Sequence, residues 1–177
     1  MTRREVLVQM LELHVAADDQ EEADRISMLR LANELGDPLS RTEPTAHFTA
    51  SAFVIDGDCG RTCLVQHVKL DRLLQPGGHI EPEDISLEAA ALREAHEETG
   101  LVCELHPVAP RPFDVDIHRI PERPGEPAHF HLDIRYLVVG CGTPAEGAAW
   151  YVLGTAGDES VGRLARKALS YRSPGPD

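Results

Sequence analysis

Apolar residues recur with a helical period at the start of the chain. Val6, Leu7, Met10 and Leu11 share a stripe with His14, and Met28, Leu31, Ala32 and Leu35 form a second at i, i+3, i+4 and i+7. Between them Ala17 to Asp24 is acidic and polar, which reads as a turn or as the exposed start of the second helix. Gly36-Asp37-Pro38 then stops the pattern. Residues 1–40 are therefore expected to be a helical extension packed on the main domain, ahead of the competing roles of an active-site cap or a dimer contact.

After a linker at residues 39–46 the period shortens to two. His47 to Ile55 reads as a strand, Asp56 to Gly60 as a hairpin turn and Thr62 to Val68 as the returning strand. Leu73 and Leu74 lead into Gln75-Pro76-Gly77-Gly78, a loop with little side-chain bulk. A helical stretch ends at Gly100, where a C-cap glycine belongs, with Ser86 or Asp84 as candidate N-caps. Val102 to Leu105 is a short strand. Two alternating segments follow. In Phe113 to His118 the polar set is Asp114, Asp116 and His118; in His129 to Tyr136 it is His129, His131, Asp133 and Arg135. Such alternation predicts the wet face of a sheet. The Pro- and Gly-rich Pro121 to Pro127 between them reads as a flap. Ala148 to Leu153 is a last strand, Asp158 to Ser170 a last helix, and the tail from Ser173 to Asp177 is expected to fray.

Composition narrows this mixed α/β order. The chain has 177 residues, is 42% hydrophobic and 27% charged, and carries a formal net charge of −13. That is enough for one domain with a full core. So acidic a surface disfavours nucleic acid and anionic membranes as partners, and an anionic substrate would depend on bound cations and a few local basic groups. No apolar run approaches a membrane span, and the broken apolar N-terminus is a poor signal peptide, so a cytoplasmic protein is expected. Cys59, Cys63, Cys103 and Cys141 have no disulfide or CxxC spacing, and free thiols are the expectation.

The candidate chemistry lies in Gly77 to Leu101. Glu94, Glu97 and Glu98 stand at i, i+3 and i+4, so all three carboxylates project from one helical face. Ala90 and Ala91 leave that side unobstructed, while Leu92 and Ala95 are expected to anchor the helix. Like charges at this spacing cost about 0.2–0.5 kcal/mol per pair on an isolated helix. Arg93 relieves part of that, and a divalent cation would relieve more. Hard oxygen donors without Cys or His suit Mg²⁺ or Mn²⁺ rather than zinc. The polar sets further along, with His129 and His131 opposite Asp116 and His118, are a second candidate, for a phosphate, a base or another metal ion. Lys69 and Arg72 are candidates for phosphate contacts.

This stretch resembles the box of the Nudix hydrolase family. Gly78, Arg93, Glu94, Ala95, Glu97, Glu98, Gly100 and Leu101 match it. The family's early glutamate is replaced by Asp84, and eight residues rather than seven separate it from Arg93, an insertion to be absorbed around Ile85 to Leu87. The resemblance covers residues 45–172. It implies an α/β/α sandwich with a mixed sheet, to which the helical extension is added.

It also implies hydrolysis of a nucleoside diphosphate linked to another moiety. Mg²⁺ (or Mn²⁺) would be held by Glu94, Glu97, Glu98 and the backbone around Gly77 and Gly78. Arg93 would orient a neighbouring carboxylate. The general base is left open between Glu94 and a distal loop acid, either Glu126 or Glu146. Arg72, His118, His129, His131 and Arg135 are the candidate substrate contacts. The implied partner is a small molecule, and the resemblance admits a homodimer. Two other readings stand beside this one: a regulatory module that binds a nucleotide metabolite without cleaving it, and an isoprenoid diphosphate isomerase, for which Cys63 and Cys103 lack the marking context.

Overall fold

The computed structural model describes residues 1–67 and 71–171. Val68, Lys69 and the tail from Ser173 lie outside the described residues, so the expectations placed on them are not addressed by it. The elements in order are α1 (Arg3–Leu13), α2 (Asp19–Glu34), β1 (Ala46–Ile55), β2 (Arg61–His67), β3 (Arg72–Leu74), β4 (Gly77–His79), α3 (Leu87–Thr99), β5 (Val102–Leu105), β6 (Asp114–Ile120), β7 (His129–Cys141), β8 (Ala148–Val152) and α4 (Glu159–Leu169). The strands join a sheet in the order β3-β2-β1-β7-β5, with β4 on β1, β6 on β7 and β8 on β2. The chain divides into two compact units, and β1, α3 and β7 each run through both.

One unit comprises residues 1–50, 78–90 and 110–135. Its first helix opens with a reciprocal cap: the Thr2 hydroxyl accepts from the Glu5 amide at 3.2 Å and the Glu5 carboxylate from the Thr2 amide at 2.7 Å. Leu7 and Leu11 are wholly buried, as are Met28 and Ala32 of α2. The Arg4 guanidinium closes the far end of α2 by donating to the carbonyls of Ala32, Leu35 and Gly36 at 2.6, 2.9 and 2.6 Å. A cation there meets the orphan carbonyls and the negative end of the helix dipole.

The start of α2 corrects one expectation. Asp18 caps the helix, and Glu21 is fully buried rather than exposed. Its carboxylate accepts from the His14 ring at 2.8 Å, the Ala17 amide at 2.7 Å and the Val115 amide of β6 at 3.3 Å. One turn on, Asp24 accepts from the Ile117 amide at 3.4 Å. These acids thus occupy backbone donors on an edge of β6 that would otherwise await another strand. The packing role expected of the first 40 residues has this physical content.

The second unit comprises residues 51–77, 91–109 and 136 onward. The predicted β1–β2 hairpin forms, with the Asp56 carboxylate accepting from the Gly60 and Arg61 amides at 2.8 and 3.1 Å. β2 pairs antiparallel with β3 and β8, and the end of β7 with β5. Asp158 caps α4, which buries Val161, Leu164, Ala165 and Ala168. Gln75 to Gly78, expected as a loop, instead runs between and into two three-residue strands, β3 and β4. They are too short for the alternation that reveals a strand in sequence.

Candidate functional site

Ser86 is the residue that starts the box helix. Its hydroxyl accepts from the Ala89 amide at 3.1 Å, while Asp84 accepts from the Glu81 amide at 2.8 Å and closes a turn before the helix. Ile85, between Asp84 and Ser86, is 92% exposed. Ala90 and Ala91 do not border an open carboxylate face. They are wholly buried with Ala95, so the small residues seat the helix in the core. At the other end Gly100 adopts φ +69° and its amide donates to the His96 carbonyl at 2.8 Å, a left-handed cap that an L side chain enters only with strain.

This anchoring leaves the acids clustered. Arg93 lies between two of them, donating to Glu94 at 2.8 Å and Glu97 at 3.2 Å. Glu98 accepts from the Gly77 amide at 3.0 Å, which ties the Gly-Gly segment to the helix. The Glu98 side chain keeps access to solvent, yet enough protein surrounds it for lost hydration to raise its pKa. The Gly77 bond opposes that shift, and Glu94 and Glu97 add to it. A hard divalent cation suits this donor set of carboxylate oxygens, whose negative charges act on one another. The loop after β7 is tied to the same helix, because the Ala145 amide donates to the Thr99 carbonyl at 2.8 Å, and Glu146 is exposed on it.

The second candidate lies in the other unit. Register brings its polar residues together: Asp114 opposite Arg135, Asp116 opposite Asp133, His118 opposite His131. Contrary to expectation, much of this face is closed to water, although the His118 side chain is 42% exposed. Asp114, Asp133 and Arg135 are 0%, 3% and 2% exposed, and His129 is 5% exposed. Arg135 donates to Asp133 at 2.9 Å, Asp114 at 3.3 Å and Asp116 at 2.9 Å. Burial alone would lower its pKa, but the Asp133, Asp116 and Asp114 charges outweigh that and raise it. The Thr49 hydroxyl donates to the other oxygen of Asp133 at 3.0 Å. Arg135 is thus a buried cation saturated by carboxylates, and His118 rests at 3.1 Å on Asp116.

Beside this network the structure assembles histidines that the sequence reading passed over. His47 of β1 and His79 of β4 meet His131, with ring centroids 4.8 to 5.3 Å apart. His129 lies 5.0 Å from His47 and 5.2 Å from His131. Burial first, then the neighbouring rings, lower His131 to about 2, and burial lowers His47 to about 4. Burial lowers His79 as well. The Nε2 atoms of His47 and His129 are buried with no hydrogen-bond partner, a cost of about 1–3 kcal/mol each. The overlooked signal was alternation continuing through His47, read only as the start of a strand, and a histidine placed directly after Gly78.

Arg72 belongs to the unit that holds the box acids and is 63% exposed, 3.7 Å from Asp158. Glu126, the other distal acid considered, lies 3.8 Å from His129. All four cysteines are free, and burial pushes Cys63 and Cys103 up to about 11, so both thiols stay protonated at neutral pH. Among the described residues no helix is long and apolar enough to cross a membrane.

Comparison with known proteins adds to this geometry. No curated protein sequence matches the chain. Solved structures do. A NUDIX-family hydrolase from Clostridium perfringens is 25% identical over 72% of this chain and 98% of its own, with a TM-score of 0.58. The C. elegans Ap4A hydrolase is 16% identical over 71% of this chain and 98% of its own, with a TM-score of 0.52. A UDP-X diphosphatase is 12% identical but spans 96% of this chain, the N-terminal helices included, and 93% of its own, with a TM-score of 0.50. These likenesses carry the fold: a mixed α/β arrangement with a curled mixed sheet and two added N-terminal helices. A family model described as the NUDIX domain matches residues 45–149, more than half of the chain and all of its box, and the protein belongs to that family.

Proposed function

We propose that the protein is a metal-dependent pyrophosphohydrolase that cleaves a nucleoside diphosphate linked to another moiety into a nucleoside monophosphate and a phosphorylated remainder. The observation that carries this reading is the crowding of Glu94, Glu97 and Glu98 on one face of α3, with Glu98 held by the Gly77 amide and inclined toward protonation. Like charges at this spacing cost a helix stability, and a bound cation would relieve that cost.

Glu94, Glu97, Glu98 and the backbone carbonyl of Gly78 are the proposed ligands of Mg²⁺ or Mn²⁺. When bound, the cation supplies phosphate charge neutralisation and acidifies water. Arg93 holds the Glu94 and Glu97 carboxylates in place. A carboxylate takes the proton of the attacking water as its oxygen bonds to phosphorus. The bridging P–O bond then breaks, and its oxygen leaves with the other phosphate. Glu94 and the loop acids Glu146 and Glu126 are the candidates for that base. Arg72, His118, His129 and His131 are the proposed contacts for the anionic substrate, with Arg135 acting through the aspartates it orders. The substrate is taken to be a small molecule rather than nucleic acid, met in the cytoplasm, where four free thiols persist. A homodimer is compatible with this reading.

The test is a hydrolysis panel: nucleoside triphosphates, dinucleoside polyphosphates, ADP-ribose, NAD(H), nucleotide sugars and coenzyme A, each with Mg²⁺ or Mn²⁺. Metal-dependent release of a nucleoside monophosphate supports the proposal and names the substrate. Tight nucleotide binding without cleavage anywhere in the panel would replace it with the regulatory-module reading.

A further inference from the structure

We propose that His47, His79 and His131 form a second metal site, one for Zn²⁺, that shares no ligand with the box carboxylates. The three imidazoles come from three strands, β1, β4 and β7, and offer one nitrogen each with all three atoms within 4.8 Å of one another. It is the group of three or more metal-ligating side chains that converges in this way among the described residues. Zn–N bonds of about 2.0–2.1 Å place the nitrogens of a tetrahedral site about 3.3 Å apart. Small rotations of the rings therefore close the set.

An independent observation points the same way. His47 is 2% exposed, and its Nε2 is buried without a partner while Nδ1 faces the Glu43 carbonyl at 3.4 Å. Histidines packed merely as flat hydrophobes seldom sacrifice a ring nitrogen in this way. A second ring nitrogen outside the trio, His129 Nε2, is likewise buried without a hydrogen bond beside the same rings, 3.8 Å from Glu126. Anchoring one ring nitrogen on a backbone carbonyl and presenting the other is the arrangement by which a metal-bound imidazole is oriented.

Nitrogen donors exclude Mg²⁺ as the ion. Three imidazoles with a fourth position left for water or an anionic oxygen match zinc.

The experiment is metal analysis and spectroscopy on the full chain. Chelator-stripped protein is titrated with Zn²⁺ and, as a reporter, Co²⁺, and X-ray absorption is recorded at the zinc edge. The expected result is one Zn²⁺ per chain, a shell containing three imidazoles, and the intense visible band of tetrahedral Co²⁺ without thiolate charge transfer. Affinity should fall at least tenfold in His131→Asn and in His79→Asn, yet be kept in Glu98→Gln. The last variant separates this site from the proposed catalytic one, so either proposal can fail alone. Sub-stoichiometric zinc, an oxygen-dominated or thiolate shell in the wild type, or binding that is lost in Glu98→Gln would overturn the inference. The wild-type absorption spectrum decides even where a histidine variant does not fold.

Discussion

Arg135→Met removes the cation from a buried set of four charges and leaves three aspartates facing one another. Two of them, Asp114 and Asp133, are 0% and 3% exposed and give up the partners that now lie 3.3 and 2.9 Å away. Removing one member of a buried ion pair costs about 3–5 kcal/mol, because the remaining charge is left without compensation. The Thr49 hydroxyl bond to Asp133 survives and offsets little of this. Methionine keeps the packing of the arginine stem, so most of the cost is electrostatic. Urea unfolding of the wild type and variant, compared at constant slope, measures it. The partial rescue is as informative: Asp133→Asn in the Arg135→Met background should recover about 1–2 kcal/mol by removing one unpaired charge. A variant less than about 1 kcal/mol below wild type, with its defect confined to substrate KM, would refute the reasoning. Arg135 would then be a ligand contact and not the fastener of β6 to β7.

Three other outcomes are expected. Glu21→Ala strands the His14, Ala17 and Val115 donors and should cost about 2–4 kcal/mol, with faster hydrogen exchange at the Val115 amide as the specific sign. Gly100→Ala forces a side chain into φ +69° and places its Cβ 3.1 Å from that of Ala145, for a loss of about 1–2 kcal/mol measured by thermal unfolding. Metal-free Glu98→Gln should unfold about 1–2 °C above metal-free wild type, because it removes a like charge worth about 0.5 kcal/mol from the helix. The sign follows from the raised Glu98 pKa: the folded state holds its proton to higher pH than the unfolded chain. Stability of the metal-free wild type therefore declines as pH rises through the window between the two values, and the advantage of Glu98→Gln appears above that window and vanishes below it.

The box was legible because its chemistry is local. Helical spacing alone brings Glu94, Glu97 and Glu98 together, and Gly100 announces the end of the helix. The strands were legible wherever alternation ran beyond four residues, and β3 and β4 were not, being three residues each. The histidine cluster was half legible. His129 and His131 stand out as neighbours on one strand, but His47 and His79 join them only through pairings between distant segments, which no local period records. The burial of Asp114, Asp133 and Arg135 was misread for a related reason. Alternation tells which residues share a face, not whether that face meets water, and here the polar residues pair with one another inside the protein. Glu21 shows the same limit in a helix: its carboxylate is buried because it serves a strand 94 residues away in sequence.

The central claim is that the carboxylate face of α3 performs metal-dependent pyrophosphate cleavage. The most direct measurement is turnover of the best substrate by Glu98→Gln and wild type across a Mg²⁺ titration, with circular dichroism confirming that both are folded. The account predicts a folded variant whose kcat is lower by about a hundredfold or more at saturating Mg²⁺. A folded Glu98→Gln protein with wild-type, Mg²⁺-dependent turnover would contradict it.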